Sequence, residues 1–145
     1  MTIDLNKLKQ QGLTEAEFSF DYLPQEELVS LPSARIDGAV KVKVSVTLKG
    51  KDATVCGKVN YLLKGECSRC LEPAQTEVES DFYAEYGLDN DAEYPIKGGQ
   101  IDVEPPVKEA IIVGAPMVIY CKSDCKGLCP TCGANLNYNK CKCNT

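Results

Sequence analysis

Six of the nine cysteines crowd into one stretch near the end of the chain: Cys121, Cys125, Cys129, Cys132, Cys141 and Cys143. Any fold of this chain has to accommodate them. The block Cys129-Pro-Thr-Cys132-Gly133 has the form of a zinc knuckle, two thiolates on a tight turn followed by a glycine free to take positive φ, so that backbone N–H groups face the sulfurs. Upstream, Cys67-Ser-Arg-Cys70 repeats the spacing, and Cys56 is left as the odd thiol. The eight paired thiols suffice for two tetrahedral sites. Local pairing puts Cys129 and Cys132 with Cys141 and Cys143. Cys67 and Cys70 then join Cys121 and Cys125, pinning the tail to the body. The alternative is that Cys121 or Cys125 changes places with a member of the tail site. In a reducing compartment such clusters point to metal rather than to disulfides.

The clearest strand runs from Ala39 to Lys49, where Val40, Val42, Val44, Val46 and Leu48 alternate with Lys41, Lys43, Ser45, Thr47 and Lys49. Lys49-Gly50-Lys51-Asp52 turns the chain back into Thr54 to Lys64, with Val55, Val59, Tyr61 and Leu63 on the inner face. Cys56 falls on the other face, away from Cys67. A further strand covers Thr76 to Tyr86, with Val78, Phe82, Ala84 and Tyr86 inward and Glu77, Glu79, Asp81 and Glu85 outward. If it lies beside the lysine-bearing strand, cross-strand ion pairs account for both charge stripes. The rival reading is a basic sheet face for RNA.

Ahead of these, Phe18, Phe20 and Tyr22 predict a strand over Thr14 to Tyr22, stopped by Pro24, and Gln25 to Leu31 is a helical turn or a loop. Met1 to Gly12, with Ile3, Leu5 and Leu8 in a mixed polar setting, has enough for an edge strand or a short helical turn but is read as irregular. Leu88 to Gly99 is a loop with a short strand around Tyr94 to Ile96. Asp102, Glu104, Pro105 and Pro106 resemble a helix start, and the helix runs to about Ala115. Its buried side is Val107, Ala110, Ile111, Gly114 and Ala115. Ile112 and Val113 make it apolar most of the way round, so it packs against the sheet or under a partner.

The expected fold is therefore α+β: an antiparallel sheet or partly open barrel with one helix from the C-terminal half packed on it, followed by a cysteine-rich zinc-knuckle tail. Residues 1–120 form the body and 121–145 the tail. A chain of 145 residues, 43% hydrophobic, suits one such domain with a small appendage. The net charge of −5 is uneven. Lys122, Lys126, Lys140 and Lys142 against Asp124 give the tail +3, leaving −8 for the body. A four-thiolate zinc site carries about −2, so these lysines either neutralise their own metal or meet phosphate. No basic, apolar leader opens the sequence, and the longest apolar run, Ala110 to Tyr120, is too short for a bilayer. A soluble, cytoplasmic protein is expected.

With no histidine in the chain, histidine-based acid–base catalysis, serine–histidine and cysteine–histidine pairs and His-Glu-x-x-His zinc helices are all excluded. Closed all-cysteine zinc spheres are structural rather than catalytic. Both Cys-x-x-Cys pairs lack the strand-then-helix setting of a thioredoxin motif. No glycine-rich phosphate loop is present. The chain reads as a non-enzyme.

The run Cys67-Ser-Arg-Cys70-Leu-Glu-Pro, then Ala115-Pro-Met117, then Cys-x-x-x-Cys-Lys-Gly-Leu-Cys-Pro-x-Cys-Gly-x-Asn-Leu-Asn resembles the YceD family, the large ribosomal RNA subunit accumulation proteins. The likeness covers most of the chain after residue 35 and departs from the pattern near Ile119, where a proline is expected. It implies a non-catalytic, bacterial factor needed for large-subunit ribosomal RNA to be processed or to accumulate. Its partner would be a large-subunit precursor, ribosomal RNA or a ribosomal protein, with neither a membrane nor a small-molecule substrate involved. One or two structural zinc ions would order the tail, so that Arg69, Lys122, Lys126, Tyr138, Lys140 and Lys142 meet RNA or a partner. The alternative function is a thiol-based redox or zinc-responsive switch.

Overall fold

The alternation of valines with lysines yields the longest and best-buried part of the structure. A computed structural model describes residues 1–140. In chain order the elements are β1 (Thr2–Asp4), α1 (Leu5–Gln10), β2 (Glu15–Tyr22), β3 (Arg35–Lys49), β4 (Asp52–Glu66), β5 (Pro73–Gly87), β6 (Tyr94–Pro95), β7 (Gln100–Asp102) and α2 (Glu104–Gly114). One sheet has the order β2-β3-β4-β5-β6, antiparallel except at β6, which runs parallel to β5. A second, two-stranded sheet joins β1 to β7. The class is α+β, as expected, with a parallel edge and a second small sheet that the periodicities do not announce.

Register explains the core. Val44 lies opposite Gly57, and Gly57 opposite Phe82; one step along, Val46, Val55 and Ala84 form the next row. Val40, Val42, Val44, Val46, Val55, Val59, Tyr61 and Leu63 are all buried, so one face of the hairpin is the floor of the core. Gly57 is required there because a Cβ would run into the ring of Phe82. On the outer face, Cys56 is exposed as expected. The acidic strand does not adjoin the lysine-bearing one: β5 neighbours β4. Lys41 of β3 instead pairs with Asp21 of β2 at 2.8 Å, and Lys58 of β4 meets Glu79 at 2.8 Å and Asp81 at 4.0 Å. Cross-strand pairing does account for much of the charge, through different partners.

The reading of Met1 to Gly12 as irregular is corrected. Ile3 pairs with Ile101 across β1 and β7, and both are buried. Asp4 then caps α1 by accepting from the Asn6 N–H at 2.9 Å, while Leu5 and Leu8, one turn apart, enter the core. The segment lacks an alternating pattern because its strand is only three residues long and its partner lies some hundred residues later. Gln25 to Leu31 forms no helix.

Asp102 assists the start of α2 from just outside it, accepting from the Glu104 N–H at 2.9 Å, with prolines in the first turn. Pro106, Val107, Ala110 and Ile111 are buried, whereas Ile112 and Val113 are exposed. The helix therefore lies on the sheet, chiefly on β5. Gly114 allows the closest approach, since a Cβ there would collide with Oγ and Cβ of Ser80. Gly114→Ala is expected to destabilise the protein by about 1–3 kcal/mol, read as a lower urea midpoint. Val113→Ala, at a 78% exposed position, should stay within about 0.5 kcal/mol.

Candidate metal centre

The end of β4 delivers Cys67, and a tight turn before β5 delivers Cys70. The Cys67 N–H donates to the Glu72 carbonyl at 2.7 Å, and the Cys67 carbonyl accepts from the Leu71 N–H at 3.0 Å. Leu71 closes this turn at φ 66°, a conformation that costs a side-chain-bearing residue on the order of 1–2 kcal/mol. Glycine is the usual occupant, so sequence alone gave no hint of the strain.

The other half of the site arrives along the segment after α2. The Ser68 N–H donates to the Ile119 carbonyl at 2.7 Å, and the Ile119 N–H donates to Ser68 Oγ at 3.2 Å. The second of these bonds is one that a proline at this position could not make. Ile119 is buried, and with these anchors Cys121 and Cys125 come to face the first turn. Cys67 Sγ lies 3.6 Å from Cys125 Sγ, and Cys70 Sγ 3.5 Å from Cys121 Sγ. All four sulfurs fall within 4.8 Å of one another. A tetrahedral zinc with bonds of ~2.3 Å sets its sulfurs ~3.8 Å apart. The four thiols need little adjustment to hold such an ion, and soft thiolates select zinc, copper(I) or iron among biological metals.

Cys67, Cys70 and Cys125 are buried and Cys121 is more exposed. Burial pushes the Cys67 thiol up, but backbone N–H groups of Cys70, Cys121 and Arg69 more than offset it and bring it down to about 6. Cys125 is also lowered, first by the Asn137 amide, whose Nδ2 lies 3.4 Å from Sγ. Burial raises Cys70, and burial with the neighbouring sulfurs pushes Cys121 up to about 12. Without metal, then, Cys67 is the sulfur disposed to the thiolate, and Cys70 and Cys121 are disposed to keep their protons.

Among residues proposed to meet RNA, Arg69 is already engaged. Its Nη1 donates to the Cys125 carbonyl at 3.0 Å, and the guanidinium sits 4.5 Å from the centre of the Tyr120 ring. It braces the two halves of the cluster, a role the sequence did not suggest. Lys122, Lys126 and Lys140 are exposed, as is Tyr138 at 74%. Cys129 and Cys132 form the second turn, Cys129 buried and Cys132 exposed, with Gly133 at φ 75°. Cys141, Lys142 and Cys143 lie outside the described residues. Exposed Val113, Met117, Val118 and Tyr120 lead from the end of α2 to the cluster. No helix among the described residues is long and apolar enough to cross a membrane.

Residues 55–145, which contain every cysteine of both turns, match the family described as Large ribosomal RNA subunit accumulation protein YceD. The chain belongs to the YceD family. An uncharacterized protein of Mycobacterium bovis is 27% identical to this YceD-family chain over 147 residues, covering 94% of the chain and 70% of that protein. A protein of Arabidopsis thaliana named Large ribosomal RNA subunit accumulation protein YCED homolog 1, chloroplastic, is 36% identical over 50 residues, 34% of this chain and 16% of that one. Its namesake in Zea mays is 26% identical over 134 residues, 68% of this chain and 46% of that one. No solved structure matches the chain.

Zinc uptake near neutral pH is expected to release fewer than four protons per ion at this site, because Cys67 is disposed to ionise beforehand. A weakly buffered titration with an indicator dye measures the number. Arg69→Ala should weaken zinc affinity about 10- to 100-fold, measured by competition with a chromophoric chelator.

Proposed function

We propose that this chain is a non-catalytic ribosome biogenesis factor of the cytoplasm, needed for large-subunit ribosomal RNA to be processed or to accumulate. The observation that carries the reading is that the family match covers residues 55–145, from the sheet through both cysteine turns. The family's description names the process. On this reading residues 1–120 form a stable body and 121–145 a tail that depends on metal. A zinc ion held by Cys67, Cys70, Cys121 and Cys125 fastens the tail to the turn between β4 and β5. That closed sphere of four sulfurs has the character of a structural site, which supports a binding role over catalysis.

The tail has little apolar interior of its own, and zinc binding contributes roughly 10–16 kcal/mol of apparent free energy in comparable small domains. Ordered in this way, the tail presents Lys122, Lys126, Lys140, Lys142 and Tyr138 to a large-subunit precursor, through ribosomal RNA or a ribosomal protein. Arg69 contributes by holding Tyr120 and Cys125 rather than by meeting the partner. The outer sheet face is a poorer RNA surface, since Lys41 and Lys58 are engaged by Asp21 and Glu79.

A thiol switch is the second reading, favoured by the sulfur geometry. The shortest separations run between the two segments, Cys67 to Cys125 and Cys70 to Cys121. One hydrogen peroxide per pair would oxidise its two thiols to a disulfide and be reduced to two waters, and the metal would leave. Zinc lost reversibly at low peroxide, with ribosomal RNA levels unaffected by depletion of the protein, would favour this reading over the first.

Depleting the protein from cells should lower large-subunit ribosomal RNA relative to small-subunit RNA, and restoring the wild-type chain should correct the ratio. An unchanged ratio would overturn the proposal. Where RNA is the partner, replacing Lys122, Lys126 and Lys140 by alanine should make the plot of log affinity against log salt shallower by about 2–3. Circular dichroism should be unchanged.

A further inference from the structure

β5 runs against β4 in an unbroken antiparallel register, but on its other side only Tyr86 and Gly87 meet a strand, β6. Over the rest of that side its outward-pointing backbone N–H and C=O groups have no strand partner among the described residues. Proline, lysine and a bulge are common means of blunting such an edge. Between Pro73 and Gly87 the sequence has neither proline nor lysine, and the pairing with β4 has no register shift.

A groove of about 580 Å³ runs along this edge, with Gln75 to Glu79 as one wall and the segment after α2 as the other. Gly114, close against Ser80, brings the end of the helix up to the strand. Val118 and Tyr120, both exposed, give the far wall an apolar surface. That wall is held in place by the hydrogen bonds between Ser68 and Ile119 and by the Arg69 guanidinium over the Tyr120 ring. The groove is therefore preformed, as binding clefts usually are.

The outward face of the same edge is acidic. Glu77, Glu79, Asp81 and Glu85 are exposed, and no lysine or arginine occurs from Cys70 to Ile96. Lys58 reaches Glu79 and Asp81 from β4, and Lys122 lines the far side of the groove. A second copy of β5 would set carboxylate against carboxylate here, and an RNA strand would bring phosphate to them. A strand with lysine or arginine at alternate positions brings the opposite charge.

We propose that the free edge of β5 is a docking site for an extended, basic segment of another protein, which adds to the sheet as a further strand. Main-chain hydrogen bonds along β5 supply affinity, and alternate side chains supply specificity. The segment's outward lysines or arginines meet Glu77, Glu79 and Asp81, while its inward residues, small or aliphatic, lie in the groove beside Val118.

A fluorescein-labelled peptide, Lys-Thr-Lys-Val-Lys-Thr-Lys, titrated with the full chain under reducing conditions, reads binding as anisotropy. Saturable one-to-one binding is expected, with hydrogen exchange slowed in β5 and unchanged in β2. Of two forms of the peptide N-methylated at alternate residues, at least one should lose about 10-fold or more in affinity although its charge is kept. Glu77→Gln/Glu79→Gln should weaken binding about 2- to 30-fold, with circular dichroism unchanged. The peptide series uses the wild type, so it decides the matter even if that variant fails to fold. No binding, undiminished binding of both methylated forms, undiminished binding by the folded variant, or exchange slowed only outside β5 would each overturn the proposal. The titration contains no RNA, so loss of peptide binding leaves the role in ribosomal RNA accumulation standing, and an unchanged RNA ratio on depletion leaves the peptide site standing.

Discussion

Four sulfurs from segments separated by more than fifty residues meet within 4.8 Å, and the placement of the described segment after α2 is bound up with that meeting. The terminal segment has few buried apolar side chains with which to choose a position. What positions it is a seam of polar and ring contacts: two hydrogen bonds between Ser68 and Ile119, the Arg69 guanidinium on Cys125 and Tyr120, and the Asn137 amide on Cys125. The sheet carries its own stability in the valine rows of β3 and β4. The two parts are thus held by different physics, hydrophobic burial in the sheet and polar and ring contacts around the converging sulfurs in the segment after α2.

That division also shows what could be read without coordinates. Strict alternation over β3 and β4 needs no knowledge of a partner, because each strand's own pattern says which face is wet, and it predicted the buried valines and the exposed Cys56. Cysteine spacing predicted which thiols converge at the first cluster, since Cys67 and Cys70 had no nearer partners once the tail pairs were set aside. Features that depend on distant partners were not legible. Ile3 finds Ile101 near the other end of the chain, and nothing within residues 1–12 encodes that meeting. The charge stripes revealed that lysines face carboxylates but not which strands adjoin. Arg69 looked like a surface cation because its acceptor is a backbone carbonyl, which leaves no trace in a sequence.

Membership of the YceD family gives this architecture a biological setting, and the sheet and cysteine cluster suit it. The charge is uneven: Lys122, Lys126, Lys140 and Lys142 against Asp124 give residues 121–145 +3, leaving −8 for residues 1–120.

β6 covers β5 only at Tyr86 and Gly87, which leaves the flank from Pro73 to Glu85 without a neighbouring strand among the described residues. An open flank of that length is a template on which foreign chains can zip up and aggregate. From residue 77 to residue 85, Glu77, Glu79, Asp81 and Glu85 occupy all the alternate outward places except that of Tyr83, so a second copy approaching in register would set carboxylate against carboxylate. The acidic stripe that contributes ion pairs to Lys58 thus also disfavours in-register pairing of this flank with a second copy.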